Sequence, residues 1–284
     1  MIFSREATIA GATIFIKLSA NSDNFVSGEK RAKKQNPTSE KVAEMNLRYS
    51  ERALSMILNH NFCEGDYHLT LTYRGEEFGK EAVRKILKAW KRKLSDLYRK
   101  EGVILKWVCV TEYQNKRVHH HMIISGGVDI AKIRALWKYG YANATLLDAT
   151  GDYRKLAAYL IKETAKAFRG PDAISKRRFD CSRSVKRPEH KEPDEISASS
   201  LFEEPKSTFK GYHIDKDSIY KGTNIFTGLP CVEYVLIADD AKNPKRTSLH
   251  RRKNKSKAKV QREQAKFNTW LRENGHEQIV FDFE

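Results

Sequence analysis

The chain has 284 residues, with 53 Lys or Arg against 36 Asp or Glu and a formal charge of +17 at neutral pH. It is 31% charged and 40% hydrophobic, which excludes a wholly disordered chain, and no stretch approaches the ~20 apolar residues of a membrane-spanning helix. The basic excess points to a polyanion, most simply nucleic acid. The N-terminal Met1-Ile2-Phe3-Ser4-Arg5-Glu6 does not read as a signal peptide, because an acid stands where an apolar run should begin. Cys63, Cys109, Cys181 and Cys231 are widely separated and form no C-x-x-C pair, so neither a zinc ribbon nor a redox motif is expected. A cytoplasmic location is the expectation.

In chain order, residues 7–18 read as one strand, bulged at Gly11, and residues 19–39 as a polar loop with the basic cluster Lys30-Arg31-Ala32-Lys33-Lys34. A helix is expected from Ser39 to about Leu58, with Ser39 as its N-cap. Tyr67-His68-Leu69-Thr70-Leu71-Thr72-Tyr73 reads as a strand from its β-branched and aromatic content. Val83, Ile86, Leu87, Trp90, Leu94 and Leu97 recur at helical spacing and predict a helix over 80–100. Strands follow from Val103 to Thr111 and from Val118 to Ser125, joined by a short polar segment as a hairpin at the sheet centre. A helix over 129–138, a strand from Tyr141 to Leu147 and a helix over 152–168 complete the pattern before Gly170-Pro171. Strands interrupted by helices around a hairpin predict an α+β fold, a central antiparallel sheet with helices packed on one face. The expected division is a first domain over 1–170, a basic and β-containing extension over 171–241, and a basic tail with a helix over 242–284. The extension holds β-like runs at 209–214 and 230–237, and the tail's helix is expected at about 256–273.

The sharpest motif is His119-His120-His121. On a strand, side chains alternate faces, so His119 and His121 point one way while His120 and Met122 point the other. Two imidazoles two residues apart are spaced to bind one divalent cation, and Glu112, at the end of the preceding strand, can approach the same ion if the two strands pair. A His-His-Glu set with open positions suits a metal that polarises a phosphate. The plain alternative is a run of surface histidines at a strand edge.

A second feature is the helix over 152–168. At 100° per residue, Lys155, Lys162, Lys166 and Asp152 fall within about 60° of Tyr159, while Leu156, Ala157, Leu160, Ile161, Thr164 and Phe168 form the opposite face. The tyrosine therefore sits in a strip of lysines, away from the apolar stripe. A phenol bordered by cations is favoured as a phenolate, and the same cations can hold a phosphodiester.

His119-x-His121 on a strand, followed by Tyr159-x-x-Lys162 on a later helix, resembles the single-tyrosine HUH endonucleases that initiate rolling-circle replication. Leu69-Thr70-Leu71-Thr72-Tyr73 sits where that family has its first motif. Glu112 sits where many members have an acidic third ligand. Thr111-Glu112-Tyr113-Gln114 and Ser182-Arg183-Ser184-Val185-Lys186-Arg187-Pro188 are similar to bacterial, plasmid and phage replication-associated proteins. The resemblance covers about residues 5–190. Position 120 departs from it, being histidine where a bulky hydrophobe is usual, and leaves another ligand pairing open. The tyrosine follows the histidines, unlike in relaxases, and no Y-x-x-x-Y pair surrounds it.

The resemblance implies a ferredoxin- or RRM-like palm of about five strands. It implies Mg²⁺ or Mn²⁺ held by His119, His121 and Glu112, and attack by Tyr159 on single-stranded origin DNA, with or without a hairpin. A 5′-phosphotyrosine link and a free 3′-OH would result. Lys162 would either lower the phenol pKa or position the leaving side, and the two roles stay open. A host helicase and a DNA polymerase are the implied partners, in a bacterial cytoplasm.

Gly75-Glu76-Glu77-Phe78-Gly79-Lys80-Glu81 is not a P-loop: three residues separate its glycines instead of four, and Glu81 replaces the Mg²⁺-binding hydroxyl. His60, His68, His190, His213, His250 and His276 have no ligand-like spacing. DNA contacts are expected from Lys155, Lys166, Arg177, Arg178, Arg183, Lys186 and Arg187. Tyr113, Trp137, Tyr139 and Tyr141 are candidates for base stacking or for packing. Two rival functions remain: a non-catalytic single-stranded nucleic-acid-binding protein and an HUH transposase. Residues 80–100 hold nine Lys or Arg against two acids, residues 176–187 six against one, and residues 242–262 ten against none. The remainder of the chain is net acidic, so the basic character is localised.

Overall fold

The first apolar run folds as a hairpin and not as a single strand: β1 (Ile2–Ala10) and β2 (Thr13–Asn21) pair antiparallel about Gly11 and Ala12. Gly11 has a φ of 64°, a left-handed conformation that glycine adopts without steric cost. Continuous hydrophobicity on both sides hid this turn in the sequence. The structure, a computed structural model, describes residues 2–21, 39–75, 78–114, 117–167, 177–225 and 228–240. The basic runs at 30–34 and 242–262, and the helix expected over 256–273, lie outside the described residues.

Ser39 caps α1 (Glu40–Asn61) by accepting from the Val42 amide, and the amide of Phe62 closes the other end on the Leu58 carbonyl. Then come β3 (Tyr67–Thr72), α2 (Lys80–Lys100), β4 (Trp107–Gln114), β5 (Arg117–Ile124), α3 (Ile130–Ala135), β6 (Ala142–Leu146) and α4 (Arg154–Ala167). Short strands β7 (Asp180–Cys181), β8 (Glu189–His190) and β9 (Asp194–Glu195) precede the long β10 (Tyr212–Thr223) and β11 (Pro230–Ala238). All four cysteines are free thiols. Among the described residues no helix is long and apolar enough to cross a membrane.

The fold is α+β with antiparallel sheets, and there are two of them. One is five-stranded, in the order β6-β3-β5-β4-β7, with β5 at its centre. The other runs β10-β11-β2-β1-β8, with β9 also paired to β1. The N-terminal hairpin thus shares a sheet with chain from beyond residue 188.

Helices flank both faces of the five-stranded sheet, where the sequence reading places them on one. The reason is that its central strands are apolar on both sides. Val108, Val110 and Ile123 pack with Leu54, Leu58 and Phe62 of α1 and with Ala157, Leu160 and Ile161 of α4. Leu69, Leu71, Cys109, Met122 and Ile124 pack with Trp90, Leu94 and Tyr98 of α2 and with Ile133. Each face left open would expose a row of large side chains to water.

α1 is itself buried on two sides. Away from the five-stranded sheet, Met56 packs on Ala10, Phe15 and Val235 of the other sheet. Arg48 and Arg52 reach the buried carboxylate of Glu233 on β11 at 3.3 and 4.0 Å. Asn59, wholly buried, joins three elements: it donates to Thr13 Oγ1 at 2.9 Å and to Asp152 Oδ1 at 3.3 Å, and accepts from the Tyr153 amide at 2.8 Å. Arg154, in the first turn of α4, pairs with both Asp152 and Asp215 of β10. The second sheet, α1 and the start of α4 are therefore locked by one polar network.

Asn59→Ala is expected to lower unfolding stability by about 2–3 kcal/mol, because it strands a buried amide and a buried hydroxyl at once. Urea denaturation of the two proteins checks this.

Candidate active site

Strand register decides which of the three adjacent histidines share a face. On β5, His119 lies opposite Glu112, His120 opposite Thr111 and His121 opposite Val110. On the other flank, His119, His120 and His121 lie opposite Thr72, Leu71 and Thr70 of β3. Alternation then puts His119, His121, Glu112, His68, Thr70 and Thr72 on the face covered by α1 and α4. His120 lies on the α2 face.

His121 and Glu112 are both buried and meet at 3.3 Å, imidazole Nε2 to carboxylate Oε2. The other ring nitrogen of His121 faces His68 Nε2 at 3.2 Å and Thr70 Oγ1 at 3.4 Å. Burial, and the like charge that His121 would carry, push His68 down to a pKa of about 4, so it is neutral at pH 7. His119 is half-buried beside this pair.

Tyr159 comes to the same place from α4. Its ring stands edge-on to the His121 ring with centroids 5.7 Å apart. Ala157, Leu160, Ile161 and Thr164 are buried beneath the helix, while Tyr159 is 46% exposed and Lys155 and Lys162 are exposed with it. An apolar stripe that docks the helix thus sets the tyrosine's position, and the lysines four before and three after it flank the phenol. Lys166 lies in α4, but its side chain is outside the described residues, as is that of Tyr113.

Nitrogen and oxygen donors of this kind suit Mg²⁺ or Mn²⁺, with oxygen-rich sets favoured for Mg²⁺. The 3.3 Å gap between His121 Nε2 and Glu112 Oε2 is a separation that two ligands of one ion can hold. Among the described residues, however, no three His, Cys, Asp or Glu side chains converge on one point. The chemistry of the pair fits a divalent cation, with His119 beside it as the remaining donor from β5.

His120 belongs to the opposite core. It is fully buried, with Nδ1 2.9 Å from Thr111 Oγ1 and Nε2 2.9 Å from the Tyr73 hydroxyl. Burial, then the charges of Lys91 and the neighbouring histidines, lower its pKa to about 3. An imidazole held by two hydroxyls fills the place of a core hydrophobe without an unpaired polar atom.

Arg177, Arg183, Lys186 and Arg187 are exposed and Arg178 is half-buried, all on the segment that pairs with the edge of β4 through β7. Lys186 is held there through its backbone, which exchanges hydrogen bonds with the Asn61 side chain. Trp137 is core, its indole donating to the Thr72 carbonyl at 2.9 Å, whereas Tyr141 is exposed next to Thr72. His68 is the member of this cluster that sequence spacing missed. The signal for it was its place two residues before Thr70 on β3, one strand away from His121.

His68 and His120 give a pH dependence of fixed sign. Their pKa values in the folded chain lie below the 6.5 of a free imidazole, so the unfolded chain takes up protons first. Their contribution to stability is complete above pH 6.5 and is lost as pH falls toward about 4. Urea midpoints measured in chelator are expected to fall over that window, and the fall should be shallower in His120→Gln.

Residues 66–168, the stretch from β3 to α4 that carries His68, Glu112, His119, His121 and Tyr159, match a family model of replication-associated proteins, the ORF2 type. Comparison with curated proteins and with solved structures gives no match. The family match supports a role in replication.

Proposed function

We propose that this chain is a replication initiator that nicks single-stranded origin DNA through Tyr159 and rejoins it, as a single-tyrosine HUH endonuclease does. The observation that carries the reading is the approach of the Tyr159 ring to His121, 5.7 Å between centroids, on the sheet face that also holds Glu112. A core helix has no need of an exposed tyrosine between two lysines, directly above a buried imidazole–carboxylate pair.

In this reading Lys155 and Lys162 hold the DNA backbone over the phenol, and Tyr159 Oη attacks the scissile phosphorus. A bond forms from Oη to phosphorus and the bond from phosphorus to the 3′ oxygen breaks. The phenolic proton is lost and the 3′ oxygen leaves as a hydroxyl. The products are a 5′-phosphotyrosine and a 3′-OH, which suits priming by a polymerase. Attack by a 3′-OH on the phosphotyrosine reverses the step and reseals the strand. His119, His121 and Glu112 would hold Mg²⁺ or Mn²⁺, which when bound neutralises charge developing on the phosphate. His68 and Thr70 fix the His121 ring from behind through its Nδ1.

With Mn²⁺ and a single-stranded origin oligonucleotide, the protein is expected to form an adduct that survives denaturant. Tyr159→Phe should abolish the adduct and leave oligonucleotide affinity within about twofold, since lysine and arginine contacts to phosphate dominate binding. An adduct that persists in Tyr159→Phe moves the nucleophile elsewhere. A protein that binds DNA and never forms an adduct is a non-catalytic binder. His121→Ala is expected to slow cleavage by about a hundredfold or more at unchanged DNA affinity. Cleavage that is indifferent to chelator would remove the metal from the reading.

A further inference from the structure

On the far face of the five-stranded sheet from Tyr159 lies a cleft of about 340 Å³, lined by Tyr98, Arg99, Val103, Leu105, Trp107 and Arg183. We propose that it is a second nucleic-acid site, a subsite that takes one unstacked nucleotide of single-stranded DNA. The inference goes beyond the nicking reaction and does not depend on it.

The position follows from strand alternation. Trp107 shares its side of β4 with Cys109 and Thr111, the α2 face, whereas Val108, Val110 and Glu112 face α4. Trp107 and Glu112 are five residues apart on β4, about 17 Å at the rise of an extended strand. A ligand in the cleft therefore cannot touch the tyrosine site.

The cleft is preformed. The amide of Ser182 donates to the Trp107 carbonyl at 2.9 Å, the Trp107 amide donates back to Ser182 Oγ at 3.0 Å, and Ser184 Oγ donates to the Leu105 carbonyl. The hydroxyls of Ser182 and Ser184 are 2.7 Å apart. These bonds pin the 182–184 turn to the end of β4 and hold the Arg183 backbone at the rim. Tyr98 is fixed from below by its hydroxyl on the Ser125 carbonyl.

The lining has the two components that an unpaired nucleotide requires. Val103, Leu105 and Trp107 supply an apolar and aromatic wall, and Arg99 and Arg183 are exposed cations at the rim. Arg99 pairs with Asp96, one turn away and in solvent, a contact weak enough to exchange for a phosphate. The volume is at the small end of ligand pockets, about 300–1,000 Å³, and duplex DNA presents no free base to enter it.

The surroundings extend the same character. Leading into the cleft, α2 exposes Arg84, Lys85, Lys88, Arg92, Lys93 and Lys100. The basic segment 177–187 crosses the sheet edge. Phe179 and Val185 pack in the core shared with α1 and α4, while Arg183 lines the cleft on the other side. Arg177, Lys186 and Arg187 are exposed along that crossing. This is a continuous cationic path from one face of the sheet to the other.

The test uses the full chain carrying Tyr159→Phe, in chelator, with a labelled single-stranded oligonucleotide and its duplex as probes, so that binding is read without cleavage. Adding Arg99→Ala with Arg183→Ala should weaken single-strand binding about tenfold and make the salt dependence shallower by about 1.4, at ~0.7 per cation for single strands. Duplex affinity should change by less. Tryptophan fluorescence should be quenched by the single strand, and Trp107→Phe should remove most of that quenching at an unchanged melting temperature. Unchanged affinity and salt slope in the double variant would overturn the proposal, as would quenching that survives Trp107→Phe. An equal loss on duplex and single strand would overturn the nucleotide subsite and leave a general phosphate-binding surface. None of these outcomes bears on whether Tyr159 is a nucleophile, which the adduct assay reports separately.

Discussion

The structure turns on the placement of β5. This strand is the centre of a five-stranded sheet buried on both faces, so each of its residues must suit one of two different environments. A register shift of one residue would drive Met122 and Ile124 out of the α2 core and carry His119 and His121 into it. Packing on the two sides therefore protects a side-chain pattern that the chemistry needs. His120 shows how strict the constraint is. It is polar, yet the α2 core accepts it only because Thr111 and Tyr73 satisfy both ring nitrogens.

The second sheet extends this frame to the tyrosine. α1 lies between the two sheets, and its Asn59 holds the β1–β2 turn and the entry to α4 together. Arg154, one and a half turns before Tyr159, is gripped by Asp152 and by Asp215 of β10. The exposed phenol thus stands on a helix whose start is fixed by buried polar contacts and whose underside is fixed by Ala157, Leu160 and Ile161. Chain from both ends of the described residues contributes to the position of one side chain.

The charge follows the same geometry. Lysine and arginine collect on the outer face of α2, beside Tyr159 and along the strap at 177–187. Phosphate contacts made by such residues position a nucleic acid without reading its sequence. Whatever selects a particular origin must therefore come from shape, from unpaired bases or from residues outside these three groups.

Sequence alone determined the features that rest on local periodicity. The period-two pattern of β5 separated His119 and His121 from His120, and the 3.6-residue pattern of α4 set Tyr159 opposite the apolar stripe. The boundaries of α2 were legible for the same reason, since its apolar residues recur over 21 positions. Only the tertiary structure decided the rest. The turn at Gly11 was masked because both flanking strands are apolar throughout. The joining of β1 and β2 to β10 and β11 links residues more than 190 positions apart, and no local pattern encodes such a pairing. His68 reached His121 across a strand pair, and helices covered both sheet faces because burial on either side depends on partners remote in sequence. Spacing along the chain carries a side chain's direction, and what it meets there is set by long-range packing.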